Sequence, residues 1–557
     1  MRTLQRAAAA LIYPAILCLG VACERTDTPT EARRPTGAFL LSNHPTTRWV
    51  NDDDPNGGGY AFPDPGTSCE NPGYQKIQDA VNAAAAGDRI NVCPGTYSEQ
   101  VTIAQDNIQL RSVRRWDAVI KAPLIMVPYS VNNPKFVIVR IAGAHNVTIL
   151  AFTITGPGPG YCGSLHYGVR VDNGGSANIL GNHITDIRDQ YDPITGQLSG
   201  CQNGMGVVVG HHPRDLDVPP GDPTSGSARI EGNLVEHYQK NGIVVGGNGS
   251  SAVITANRVF GFGASPTIAQ NGIEVLLDAT AEVEHNFSSG HIYTGPMQTT
   301  ATGGLLSQAG TVDFSHNTLA HNDVDVYGSG SSAPSSLTHN RTRASTFDGI
   351  VVDATNNATV GDNNTEQNGG AGIGLYDGAT GNTLENNQVE RNSNNFSSTT
   401  CPITAPLPCY GGGILLYDAS NNTVSGNHVR NNGTANTPEN TDGIRVNPPS
   451  MRNSIQRNHL RGNVTHDCHD ATAPGDNTWV ANHGETSSPM GLCSDDPNDD
   501  FVVEAGWDPS YPWYSSYDGL TTDYDWPSLY SAIDAQIQDL LDLLPQIGVG
   551  GVRRPSP

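Results

Sequence analysis

The stretch Asp362–Val389, "DNNTEQNGGAGIGLYDGATGNTLENNQV", decides the fold. It opens on one Asn phrase, "DNNT" with Asn363, and closes on the next, "NNQV" with Asn387, one period of 24 residues. Between them "AGIGL" is a short alternating strand entered through a Gly turn. The same phrase recurs along the chain at Asn182, Asn233, Asn257, Asn286, Asn317, Asn340, Asn363, Asn387, Asn427 and Asn458. The steps are 51, 24, 29, 31, 23, 23, 24, 40 and 31, so the base period is 23 to 24. The strand phrase alternates with it as "NGIVV", "NGIEV", "DGIVV", "AGIGL", "GGILL" and "DGIRV".

A unit this short cannot close a core by itself. It can do so when each turn buries its apolar residues against the next, which predicts a coil of parallel strands. Asn at a fixed corner hydrogen-bonds to the Asn above and below and satisfies amides that would be stranded inside. Parallel crossovers are right-handed, and rungs stack about 4.8 Å apart. The expected fold class is therefore all-β, a right-handed parallel β-helix over residues 46–465.

Upstream, Ile77, Ala80, Val81 and Ala84 have a helical period that Gly87-Asp88 ends. A helix over Gln75–Ala86 is predicted, followed by strand, turn and strand in "GDRINVCPGTYSEQVTI". With the Asn repeats, Ile77–Ile103 resembles the amino-terminal start of the pectin-lyase-like superfamily of secreted bacterial β-helix proteins. The resemblance spans residues 74–465 and implies that the helix caps the open end of the coil. It implies no single activity, because that superfamily holds lyases, esterases, epimerases, hydrolases and repeat proteins without known chemistry.

The chain begins with a basic start, an apolar run and small residues before Cys23, an export signal over residues 1–22. Cys23 resembles the lipidated cysteine of bacterial lipoproteins, with Gly20 where that pattern has Leu, and plain cleavage after Ala22 is the alternative. Residues 23–45 read as a tether. Cys18 lies in the signal, and without Cys23 eight cysteines remain, an even number for an exported chain. Neighbour pairing joins Cys69 with Cys93, Cys162 with Cys201, Cys401 with Cys409 and Cys468 with Cys493. Residues 466–557 leave the period. They read as a stapled segment and a cap, with aromatics at Trp507, Tyr511, Trp513 and Trp526 and an amphipathic helix ending the chain.

The net charge of −25 excludes nucleic acid and an anionic membrane surface as partners, leaving a lipid anchor as the only membrane link. The expected partner is an extended polysaccharide laid along a rigid sheet by a monomeric protein outside the cytoplasm. An acidic polymer needs a local basic groove or Ca²⁺ to reverse the field. No other cofactor is called for. Long repeat steps mark insertions, which solenoids gather over a binding face. The step of 51 is followed by "EHYQKNG", whose His237, Tyr238 and Lys240 are candidate catalytic groups for proton abstraction beside a uronate carboxylate. His211, His212, Arg214 and Asp215 in the inserted loop are candidate substrate-binding groups.

Two functions stand side by side: noncatalytic binding or adhesion, and a polysaccharide lyase or C5-epimerase. "AGTVDF" at Ala309–Phe314 resembles the opening of the pectin methylesterase signature, but it aligns with neighbouring rungs and the rest of that signature is missing. His285, His316 and His339 precede successive ladder Asn residues and should stack in a column. His466, Asp467, His469, Asp470, His483 and Glu485 gather metal-ligand types around Cys468 and Cys493, without a regular spacing.

Overall fold

The computed structural model describes residues 45–53, 65–129, 134–212, 224–296, 299–393, 411–434 and 441–494. Its repeating unit is visible in four successive strands. Asn241–Gly246, Ser251–Thr255 and Arg258–Ser265 make one turn, and Asn271–Leu276 returns beside the first of them. Repetition builds parallel sheets of 15, 14 and 13 strands, each strand pairing with those one turn away.

In-register pairing stacks like on like. In the 14-stranded sheet Val139, Val169, Val207, Ile243 and Ile273 form one interior column. It resumes through Val326, Ile350, Ile373, Ile414 and Ile444, all buried. Each such side chain contributes about 1.5–3 kcal/mol by leaving water. At Gly304 the column is interrupted. A Cβ there would lie 2.8 Å from the Phe314 ring, so the larger ring on the adjacent sheet fills the space.

The corner Asn residues form the predicted ladder. Asn233, Asn257, Asn286 and Asn317 each donate through Nδ2 to the next Asn Oδ1 at 2.9–3.1 Å. The residue before each takes a left-handed backbone, for example Ala256 at φ 54° and His285 at φ 55°. That turn aims the amide inward. His285, His316 and His339 do stack, with centroids 5.0 and 4.7 Å apart.

Two further ladders were not apparent from the repeat phrase. Asn382, Asn422, Asn453 and Asn477 form one, and Asn368, Asn392, Asn432 and Asn463 the other, which ends on Asp467.

The helix is shorter than its periodicity predicts, Ile77–Ala83, because Ala84 is already extended. Its first free amides, Ile77 N and Gln78 N, donate to Glu99 Oε1 and Oε2 at 2.8 and 2.9 Å. Glu99 belongs to the "CPGTYSEQ" turn, so that turn also holds the cap in place. Ile77, Ala80 and Val81 are buried against the coil.

At the other end the coil runs beyond residue 465. Cys468–Asp470 pairs with Thr441–Asn447, and Thr478–Val480 pairs with Ser454–Gln456. Asn482 extends the first ladder 24 residues after Asn458. "ANHG" is thus one more corner, masked in sequence by the loss of a strand phrase after it.

Disulfides join Cys69 to Cys93, Cys162 to Cys201 and Cys468 to Cys493 as neighbour pairing predicts. Cys401, Cys409, the signal, Cys23, most of the tether and the aromatic and helical tail lie outside the described residues. Among the described residues no helix is long and apolar enough to cross a membrane.

Candidate functional site

The outer face of the 14-stranded sheet carries the charged and aromatic groups that a β-helix could offer a ligand. Arg140, Arg170, Glu274, Tyr327, Arg445 and His469 share one column by register, while Asp172 and Asp353 share another with Tyr376. Near the helix cap the two arginines are already engaged. Arg140 and Arg170 both bond Asp172, at 3.1 and 2.9 Å, and lie 4.2 and 5.5 Å from the centroid of the Tyr129 ring.

Further along, His212 approaches a residue that sequence reasoning did not single out, Glu274, which also feels the Lys240 charge. His212 Nε2 is 4.0 Å from Glu274 Oε2, and Asn241 Nδ2 bonds the same oxygen. Burial pushes the Glu274 carboxyl up to about 7, against the opposing pull of the Lys240 charge. Lys240 Nζ donates to Ala269 O at 2.6 Å, and Asn241 Oδ1 is buried without a protein partner. A carboxyl that titrates near neutrality beside an ammonium group is equipped to take or give a proton. The available signal was "NGIEV", the one strand phrase with a carboxylate at this position.

The other candidates are dispersed. Tyr238 points into the coil and is fully buried, its hydroxyl on His291 Nε2. His237, one residue earlier and at φ 53°, projects outward, with its ring 5.3 Å from Phe262. The left-handed corner therefore separates side chains that are adjacent in sequence. His211 follows its strand and donates its backbone N–H to Gly246 O at 2.7 Å. Arg214 and Asp215 lie outside the described residues. Asp313 is an exposed residue of the strand Val312–Ser315 in the 15-stranded sheet, in register with Glu282 and Ser336.

Beyond Glu274 the face becomes aromatic. The Tyr376 ring reaches back over Gly374, whose Cβ, if present, would be 2.3 Å from the ring. The Tyr376 hydroxyl donates to Asp348 Oδ2 at 2.6 Å, and Tyr327 donates to Asp353 Oδ2 at 2.5 Å. Burial raises the Asp348 carboxyl to about 6. Tyr376, Tyr327 and Asp353 all remain partly exposed.

Two groups of metal-ligand types occur among the described residues. In Cys162, Asp189 and Cys201 both sulfurs are in the disulfide, and Asp189 caps the amides of Gly163 and Ser164. The other group is Asp442, His466 and His469, at the far end of the same face. Its two imidazoles suit a Zn²⁺-like ion, whereas Ca²⁺ takes oxygen ligands.

A family model described as the right handed beta helix region matches residues 222–405. No curated protein matches the sequence. Solved structures similar to this chain include the mannuronan C-5 epimerase AlgE6 A-module of Azotobacter vinelandii, at 16% identity and TM-score 0.35, covering 74% of this chain and 95% of that one. The DFA-IIIase of Arthrobacter chlorophenolicus A6 is similar at 14% identity and TM-score 0.38, covering 73% and 93%. The Dettilon tailspike protein is similar at 16% identity and TM-score 0.41, covering 73% and 64%. With three parallel sheets wound in one coil and the family model on its central turns, the chain is a right-handed parallel β-helix protein.

Proposed function

We propose that this is an exported, monomeric β-helix protein that binds an extended polysaccharide along the outer face of its 14-stranded sheet, as a surface-binding or adhesive solenoid. The observation that carries the reading is the Tyr376 ring held over Gly374 with its hydroxyl on Asp348. A fixed, partly exposed ring with carboxylates beside it offers an apolar surface to a sugar and acceptors to its hydroxyls. The disulfides support a destination outside the cytoplasm, at the cell surface, in the periplasm or in the medium. Attachment through Cys23 and free secretion are both compatible with it. Similar folds that act on polysaccharides are in keeping with this partner. Titrating the protein with a panel of neutral and uronic polysaccharides tests the reading, because Tyr376→Ala should weaken binding of the recognised polymer about 10-fold while leaving the fold intact.

A second reading, a polysaccharide lyase or C5-epimerase, is favoured by one observation, the Glu274 carboxyl held near neutrality beside Lys240 and His212. In it Glu274 moves the proton next to a uronate carboxylate, Lys240 offsets the substrate charge, and Ca²⁺ serves as an optional bridging ion. His237 and Tyr238 have no part in that geometry. Loss of turnover in Lys240→Ala with binding retained would support it.

A further inference from the structure

His466, Asp467, His469, Asp470, His483 and Glu485 bring six potential ligands within twenty residues of sequence, and folding sends them to different tasks. Asp467 ends an Asn ladder and accepts the amide of Glu485 at 2.9 Å. Asp470 accepts from Trp479 Nε1 at 2.8 Å, His483 stacks 5.0 Å from His459, and Glu485 is 3.8 Å from Arg461. Only His466 and His469 converge, and they converge on Asp442 from the preceding turn.

Asp442 has no exposed side-chain surface, while His466 and His469 are 31% and 17% exposed. His466 Nδ1 lies 2.9 Å from Asp442 Oδ1, and His469 Nδ1 lies 3.2 Å from that same oxygen. The second carboxylate oxygen is engaged by Arg445 Nη1 at 2.7 Å, and Arg445 Nη1 also reaches His469 Nδ1 at 3.3 Å. His469 Nδ1 lies as close to the second oxygen, also 3.2 Å, so both imidazoles turn Nδ1 toward one buried carboxylate, an arrangement in which a bound cation can take the place of the ring protons.

The spacing fits. Zn–N and Zn–O bonds of about 2.1 Å in a tetrahedron place ligand atoms about 3.4 Å apart. The two separations found here need to open by only a few tenths of an ångström. Arg445 meanwhile holds the carboxylate in place through Oδ2, as outer partners of metal ligands do. Neutral imidazoles and a carboxylate select a borderline divalent ion such as Zn²⁺ over Ca²⁺ or Mg²⁺.

We infer that Asp442, His466 and His469 form a binding site for one divalent transition ion of the Zn²⁺ class, with its fourth position open toward the outer face. The proposal is independent of the polysaccharide reading, since it requires neither a polymer nor turnover.

The test is calorimetric titration of the full, untagged, chelator-treated protein with Zn²⁺ and with Ca²⁺, paired with X-ray absorption on the zinc-loaded protein. The expected result is one Zn²⁺ per chain, a first shell with two imidazoles, and an affinity lowered about 100-fold or more in His466→Ala and in His469→Gln. His316→Ala, in the stacked imidazole column, should bind as the unaltered protein does. No stoichiometric uptake by the unaltered protein would overturn the proposal. So would a zinc shell lacking two imidazoles, which needs no variant to fold, or equal loss of affinity in His316→Ala.

Discussion

Asn286 Nδ2 donates to Asn317 Oδ1 at 3.0 Å while Asn286 Oδ1 accepts from both the backbone and the side-chain nitrogen of Asn257, at 2.9 and 3.0 Å. Each ladder residue thus satisfies the one before it and is satisfied by the one after. Asn286→Ala would leave the buried Asn257 N without its acceptor and Ile254 O without its side-chain donor, while Asn257 Nδ2 keeps Ile230 O and Thr255 O. The expected cost is about 3 kcal/mol, read as a lower denaturation midpoint. Asn178→Ala, at a solvent-facing strand position, should cost a few tenths of that.

The interior also carries a polar chain from Tyr238 through His291 to Asn322 and Asp325, all buried. Burial lowers His291 from 6.5 to about 4. The unfolded chain therefore takes up this proton first, so the stabilisation is complete above pH 6.5 and is lost as pH falls toward 4. The loss should reach about 3 kcal/mol from this group alone. The buried carboxyls of Glu274, Asp348 and Asp325, raised to about 7, 6 and 8, act in the opposite direction over this range, so the His291 contribution is read as a difference: His291→Gln, although less stable at pH 7, should lose about 3 kcal/mol less than the unaltered protein between pH 7 and 4.

Gly374→Ala tests whether the held ring of Tyr376 matters for binding. The added methyl occupies the space under the ring and must tilt it outward, breaking its bond to Asp348. Polymer affinity should fall about 10-fold, as for Tyr376→Ala, with a modestly lower melting temperature from the lost bond to buried Asp348. Unaltered affinity would place the polymer elsewhere on the coil.

Glu274→Gln removes a carboxyl that titrates near neutrality. If the protein turns over uronic polymers, the rate should rise through pH 7 in the unaltered protein. That limb should vanish in the variant, with a rate loss of about 100-fold or more. A flat profile in the unaltered protein would leave Glu274 as a buried structural carboxylate.

The fold was legible because its determinants repeat. Asn at one corner, Gly at the strand entrance and β-branched residues after it recur at a spacing that only stacking explains. Ladders whose Asn residues stand outside the recurring phrase, such as Asn382 and Asn422, were hidden by the abundance of Asn. The site was less legible because a coil brings together residues a full turn or more apart. Glu274 lies one turn beyond Lys240 and two beyond His212, and Asp442 reaches His466 and His469 from the preceding turn. Conversely His237 and Tyr238, neighbours in sequence, are parted by a left-handed corner. Sequence proximity is informative about faces only within a strand.

The most direct measurement is proton NMR of neutral and uronic polysaccharides, with and without Ca²⁺, before and after addition of the purified mature protein. The account predicts line broadening of one polymer without new sugar signals, and a loss of that broadening in Tyr376→Ala. An unchanged panel, or broadening that Tyr376→Ala leaves intact, would contradict it.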